Sequence, residues 1–141
     1  MECFKTFRKA PPSQLIMTLL VKNEESMLEE NLLFHKAMGV DSFIITDNNS
    51  TDSTPEIIRK YKQKGWIKEV IEEKATDYEQ KEWVDRMIWK AKTIYKADWI
   101  INADADELWY SPSGNLKTDL SATHANVLNC EMRSVYPEEN Q

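Results

Sequence analysis

Four short strand-like runs alternate with three longer stretches of helical periodicity, and this alternation limits the fold more than any other feature of the chain. "QLIMTLLV" (14–21), Phe43–Thr46 within "DSFIITDNNS" and "WIINA" (99–103) are continuously apolar, as strands covered on both faces must be. "WIKEVIE" (66–72) reads as a fourth strand. Between them, Ser26–Met38 places Met27, Leu28, Leu32, Phe34 and Ala37 at helical positions and ends at Gly39, where a helix C-terminal glycine belongs. Ser53-Thr54-Pro55-Glu56 announces a second helix by a hydroxyl cap, a first-turn proline and a following glutamate. Ile57, Ile58 and Tyr61 form its inner face, and Gly65 ends it. In "ATDYEQKEWVDRMIWKAKTIYKAD" (75–98), Trp83, Met87, Ala91 and Ile94 recur at helical spacing, with Val84, Ile88 and Tyr95 beside them.

Strands that alternate with helices predict an α/β three-layer sandwich, Rossmann-like, with a mainly parallel sheet. Residues 1–13, closed by Pro11-Pro12, read as a lead-in to one domain spanning 14–141. "SPSGN" (111–115) reads as a turn, and "HANVLNCEMRSVYP" (124–137) as the place of a further strand.

In open sheets of this kind ligands bind beyond the carboxyl ends of the strands. Polar clusters fall at three of those ends: Lys22–Glu25, Asp47–Asp52 and Asp104–Glu107. The carboxylate pair Asp104 and Asp106 makes a hard, oxygen-rich site suited to Mn²⁺ or Mg²⁺. A solvated acidic turn, or carboxylates capping a following helix, accounts for the same spacing. Asp47 leaves the second strand where a base or ribose would rest, and Asn48–Thr51 can turn tightly without glycine. Asp52 and Ser53 are expected to cap the next helix, and capping is equally open to Asn23. A calcium loop is excluded, because its obligatory sixth-position glycine is Asp52 here. His35 reads as a structural residue, while His124 is weak evidence for a metal ligand. No P-loop or G-x-S-x-G is present. An aspartyl phosphotransferase also uses D-x-D, but with a hydroxyl residue two places after the second Asp, where this chain has Leu108.

The net charge of −6 argues against a nucleic-acid partner, which needs a basic footprint. Cys3 and Cys130 show no ligand spacing, and no run approaches the length of a membrane span. "MECFKTFRKAPPS" lacks the apolar core of a signal peptide. A cytoplasmic protein is expected, with a peripheral position at the inner face of the membrane also open.

With these residues in view, the chain resembles the family 2 glycosyltransferases and their close relatives of the GT-A fold. The resemblance spans roughly residues 14–110. It rests on "LLVKNEESMLEENLLFHKAMGVDSFIITDNNSTDST" and "ADWIINADADELW", that is, on N-E after the first strand, H-x-x-x-G-V-D before the second, and D-x-D-E before an apolar residue. It implies a nucleotide-diphosphate-sugar donor, Mn²⁺ or Mg²⁺, and sugar transfer with inversion. Carried over by position, Asp47 would contact the nucleobase, and Val21, Asn23, Glu24 and Asn49 would line the same donor pocket. Asp104 would face the ribose or diphosphate and share the metal, Asp106 would be the direct metal ligand, and Glu107 would support the site. Gln80 and Arg86 sit where relatives place donor-contacting polar groups. Family members run well past D-x-D into an acceptor half with a carboxylate base, whereas 31 residues follow Tyr110 here. The chain therefore matches the donor-binding half, truncated after the D-x-D region. Glu131 and Glu138 sit in no motif of a base, so the catalytic base is expected outside the chain. A non-catalytic nucleotide- and metal-binding module is the alternative. The acceptor, whether glycan, lipid or protein, is left open, and a homo-oligomer is one way to cover the face that the absent half would occupy.

Overall fold

Each element follows from local chemistry that the sequence displays. In the computed structural model, which describes residues 2–5, 14–77, 79–122 and 127–129, the apolar run Leu15–Val21 is strand β2 and is buried along almost its whole length. Its neighbours explain why. Strand β3 (Ser42–Asn48) pairs with it in parallel on one side, and β5 (Trp99–Ala103) pairs in parallel on the other. Strand β4 (Ile67–Glu73) extends the sheet beyond β3, also in parallel. Its partial exposure along most of its length, against the near-continuous burial of β2 and β3, is that of an edge strand.

The helices divide between the two faces. On one, α1 (Leu28–Ala37) and α2 (Thr54–Gln63) place Leu28, Leu32, Ile58 and Tyr61 against Met17, Leu19, Phe43 and Ile45. On the other, α3 (Gln80–Thr93) places Met87 and Ala91 against Ile16, Ile44 and Ile100. Helix, sheet and helix make the three layers that the alternation predicts. Among the described residues no helix is long and apolar enough to cross a membrane.

Three departures from the sequence reading have physical causes. Residues 2–5, taken as lead-in, form strand β1 (Glu2–Lys5), antiparallel to β5, with Cys3 buried opposite Ile101. A four-residue strand placed by long-range antiparallel pairing leaves no periodic trace. It pairs in turn with β6 (Val127–Asn129), which falls in the segment where a further strand is expected. The full sheet order is β4-β3-β2-β5-β1-β6. Second, the turn at 111–115 leads into an unanticipated short helix, α4 (Leu116–Ser121), capped by the Asn115 side chain. Third, the inner stripe of α1 is not wholly apolar. Ala37 is exposed and Phe34 half-buried, while Asn31 and His35 are fully buried beside Leu28 and Leu32. At α2, Ser53 occupies the N-cap position without a side-chain bond, and Asp52 accepts from the Thr54 amide at 2.8 Å instead.

The amino-terminal rim of the sheet shows what an acidic residue does when it serves the fold. Asp41 accepts from the Leu15 amide at 2.8 Å and from Lys117 Nζ at 2.9 Å. Asp98 accepts from the Gln14 amide at 2.7 Å. Both carboxylates are spent on the start of β2.

Gly39 ends α1 with φ +98°, a conformation that a side chain resists, and a Cβ there would lie 2.5 Å from Asn115 Oδ1. Gly39→Ala is expected to cost about 1–3 kcal/mol, from backbone strain and the collision with the α4 cap. Urea unfolding measures it; a variant as stable as the parent contradicts this role.

Candidate functional site

The strand order sets where a ligand belongs. The chain runs β2, β3, β4 in one direction across the sheet, then crosses back through α3 to β5 on the other side of β2. The order therefore reverses between β2 and β5, and a crevice opens outside the carboxyl ends of the strands at such a switch. The β2–α1 loop, with Glu24, and the β5 loop, with Asp104 and Asp106, flank that point.

The β2–α1 loop is bound to the loop after β3 by polar contacts. Asn23, at φ +52°, accepts through Oδ1 from the Thr51 amide at 2.7 Å and the Asp52 amide at 3.3 Å. The Glu24 amide donates to Thr54 Oγ1 at 2.9 Å, and Glu25 Oε2 accepts from the Ser53 amide at 2.8 Å. Asn23 is thus a tie between loops and not the cap of α1, whose N-cap is Met27. Asn48 donates to the carbonyls of Glu73 and Ala75, and Asn49, at φ +59°, donates to that of Lys74. The three loops beyond β2, β3 and β4 are thereby stitched together.

The acidic loop has a different construction. Glu107 Oε1 accepts from the Asp104 amide at 2.7 Å, and the Glu107 amide donates to the Asp104 carbonyl at 3.0 Å, which closes a tight turn. Beneath it, Asn31 Nδ2 donates to the carbonyls of Ala105 and Glu107, each at 2.9 Å. Asn31 Oδ1 lies 3.0 Å from His35 Nδ1, and His35 Nε2 accepts from the Trp109 amide at 2.8 Å. An amide N–H can only donate, so Nε2 carries the lone pair and Nδ1 the proton that goes to Asn31. Ala105 and Trp109 are buried, whereas Asp104 and Asp106 are exposed.

The carboxylates at this end are electrostatically uncomfortable. Burial, then Asp106, Asp104 and Asp52, raise the Glu24 pKa above its ordinary value. Burial, then Asp106, raise that of Asp104. Among the described residues, none of the side-chain oxygens of Glu24, Asp104 and Asp106 has a hydrogen-bond partner, in contrast to Asp41 and Asp98 at the opposite rim. Among the described residues no three acidic, histidine or cysteine side chains are arranged to ligate one ion together. The two carboxylates Asp104 and Asp106 are by themselves hard oxygen donors of the kind that Mn²⁺ or Mg²⁺ takes one or two of, completing its shell from phosphate and water.

Residues 17–133 match the sequence model of glycosyltransferase family 92. The chain belongs to glycosyltransferase family 92. No curated protein sequence matches it. Among solved structures it is similar to residues 1–349 of TarS from S. aureus, with 17% identity and a TM-score of 0.62 over 77% of this chain and 31% of that one. It is also similar to the mannosyltransferase PcManGT from Pyrobaculum calidifontis in complex with GDP-Man and Mn²⁺, with 20% identity and a TM-score of 0.50 over 70% of this chain and 29% of that one. At these identities the likeness is one of fold. The family 92 chain thus spans about a third or less of the length of these structures. The glycosyltransferase class expected from its motifs stands, while the family matched is number 92 in place of 2.

The sequence-predicted residues of the family 92 chain fall into three groups. Glu24 on one side, and Asp104 and Asp106 on the other, stand on the two loops that flank the switch point, where Asp106 and Asp104 add to the effect of burial on Glu24, and Glu107 braces the acidic turn. Val21 and Asp47 lie opposite each other on β2 and β3, so Asp47 shares the rim. Asp47 Oδ1 also accepts from Ser50, a local role its motif did not announce. Asp47 lines a cavity of about 400 Å³ with Arg59, Lys68 and Val70, to which Asp104 and Asp106 do not contribute. Arg86 pairs with Glu73 at 2.6 Å and lines a second cavity, of about 380 Å³, that Gln80 does not line. His124, Cys130, Glu131 and Glu138 lie outside the described residues. Asn31 was missed: in the sequence it is one polar residue on a helix, and only its spacing of four from His35 hints at a pair.

Burial lowers the pKa of His35 from 6.5 to about 4 against the opposing effect of its bond to Asn31. The unfolded chain therefore takes up this proton first as pH falls, so stability is full above pH 6.5 and declines toward pH 4. At pH 5 this residue accounts for about 2 kcal/mol of the loss. Urea unfolding at pH 7 and pH 5 is expected to show a pH-dependent loss smaller by about that amount in His35→Phe. An equal loss in both proteins contradicts the assignment.

Proposed function

We propose that this chain is the donor-binding part of a metal-dependent, inverting glycosyltransferase of GT-A type that uses a nucleotide-diphosphate sugar. The observation that carries the reading is the placement of Glu24, Asp104 and Asp106 on the two loops that flank the switch point, with side-chain oxygens that have no hydrogen-bond partner among the described residues. A diphosphate would be repelled by those groups unless a cation lay between, and the mannosyltransferase of like fold is a complex with GDP-Man and Mn²⁺.

In this reading Asp106 and Asp104 hold Mn²⁺ or Mg²⁺, which when bound neutralises charge that grows on the departing diphosphate. Asp47 accepts from the nucleobase through the oxygen that Ser50 leaves available. The backbone at Val21 and the tied loops at Asn23 and Asn49 shape the wall of the pocket, with Glu24 on its floor. Glu107 keeps the acidic turn closed; a donor contact from Arg86 or Gln80 on α3 would require Arg86 to leave Glu73 and both to reach beyond the separate cavity that Arg86 lines. Inversion requires the acceptor hydroxyl to lose its proton as it attacks the anomeric carbon, and that base is supplied from outside the described residues.

Asp106→Asn tests the reading directly. It removes a ligand and a like charge together. Calorimetric titration with GDP or UDP in Mn²⁺ is expected to show affinity lower by at least the roughly 10–100-fold that loss of an outer partner costs. Urea stability without metal should be unchanged or slightly higher. Parental affinity in the variant contradicts the metal assignment.

A further inference from the structure

The contacts of α1 with the acidic loop go beyond what packing needs. Asn31 and His35 stand one turn apart on the inner face of the helix, and both are fully buried. Leucines there would fill the space but leave the Ala105 and Glu107 carbonyls and the Trp109 amide without these partners. These side chains instead use every strong hydrogen-bonding group they have. Asn31 gives its amide protons to the carbonyls of Ala105 and Glu107 and accepts from His35, whose remaining nitrogen accepts from the Trp109 amide.

All the side-chain bonds that leave this pair end on the backbone of one six-residue stretch, Asp104–Trp109, the Asp104 carbonyl accepting from Asn31 Nδ2 at 3.4 Å. That stretch carries both Asp104 and Asp106. Ala105 and Trp109, at the inward-drawn carbonyl and amide, are buried, while Asp106 between them is exposed. Each nitrogen and oxygen of the two side chains has a partner, which favours the observed position of the loop on the helix over others.

We propose that Asn31 and His35 are positioning residues for the cation site, fixing the directions of Asp104 and Asp106 from the helix behind them. The proposal rests on the reading that those two carboxylates hold a divalent cation. Outer partners that orient metal ligands act in this way generally, and their loss weakens metal binding about 10–100-fold.

The test uses the full 141-residue chain. Mn²⁺ is titrated in the presence of GDP, and separately of UDP, with free Mn²⁺ read by its paramagnetic resonance signal. Each variant is first shown to be folded by circular dichroism at the working temperature. Asn31→Ala removes the donors to the loop, and His35→Phe keeps a ring but no nitrogen. His35→Gln keeps one donor and one acceptor. Ile58→Ala, in the core under α2, supplies a comparable loss of stability away from the loop. Asn31→Ala and His35→Phe are expected to weaken Mn²⁺ binding about tenfold or more, while His35→Gln and Ile58→Ala stay close to the parent. Parental Mn²⁺ affinity in folded Asn31→Ala and His35→Phe overturns the positioning role and leaves the metal reading standing. Weakening of Ile58→Ala by the same factor also overturns it, because general destabilisation then suffices. A parent chain that binds no Mn²⁺ with either nucleotide overturns the metal reading, and the positioning role with it.

Discussion

The parallel pairing of β2 with β3 on one side and β5 on the other governs everything that follows. Val21 lies opposite Asp47, and Leu19 lies opposite Ala103, so three loops leave the sheet at one rim. Strand spacing puts the ends of β3 and β5 roughly 10 Å apart across β2. Because the chain reverses its direction of travel across the sheet at β2, no crossover helix fills the space between the β2 and β5 loops. The acidic turn gains its place from that topology, and its charge can be tolerated only where water or a counter-ion reaches it.

Carboxylates at the two ends of the sheet have opposite uses. Those at the amino-terminal rim hold backbone amides and a lysine at the start of β2, so they serve the fold. Glu24, Asp104 and Asp106 make no such bonds among the described residues; beyond the effect of burial, Asp106 and Asp104 raise the proton affinity of Glu24, and Asp106 raises that of Asp104. Mutual repulsion of this kind works against folding and is relieved by a cation. The polar pair on α1 and the brace from Glu107 hold the repelling groups in place.

The fold was readable wherever burial left a period in the sequence. The residues of β2, β3 and β5, and the inner face of α3 at Trp83, Met87 and Ala91, fall within a residue or two of expectation. Strand β1 and helix α4 were not, since four and six residues are too few to show a period and their places depend on partners far along the chain. At the site, the acidic groups were legible as motifs. Their support was not: Asn23 resembles a helix cap until its partners on the neighbouring loop are seen, and Asn31 bears no mark of the carbonyls it meets. Asp47 serves its own loop as well as the rim, which no local pattern reveals.

The central claim is that three loops grip one cation-bridged nucleotide diphosphate at the carboxyl end of the sheet. Paramagnetic broadening by Mn²⁺ in the presence of GDP or UDP, read residue by residue from amide NMR signals, tests it most directly. The account predicts that signals of Asn23–Glu25 and Asp104–Leu108 broaden first, with Asp47–Ser50 next, while Leu15, Asp41 and Lys117 at the opposite rim stay sharp. Broadening centred on that opposite rim, or on the α3 side at Glu79 and Glu82, with the acidic turn unaffected, would contradict it.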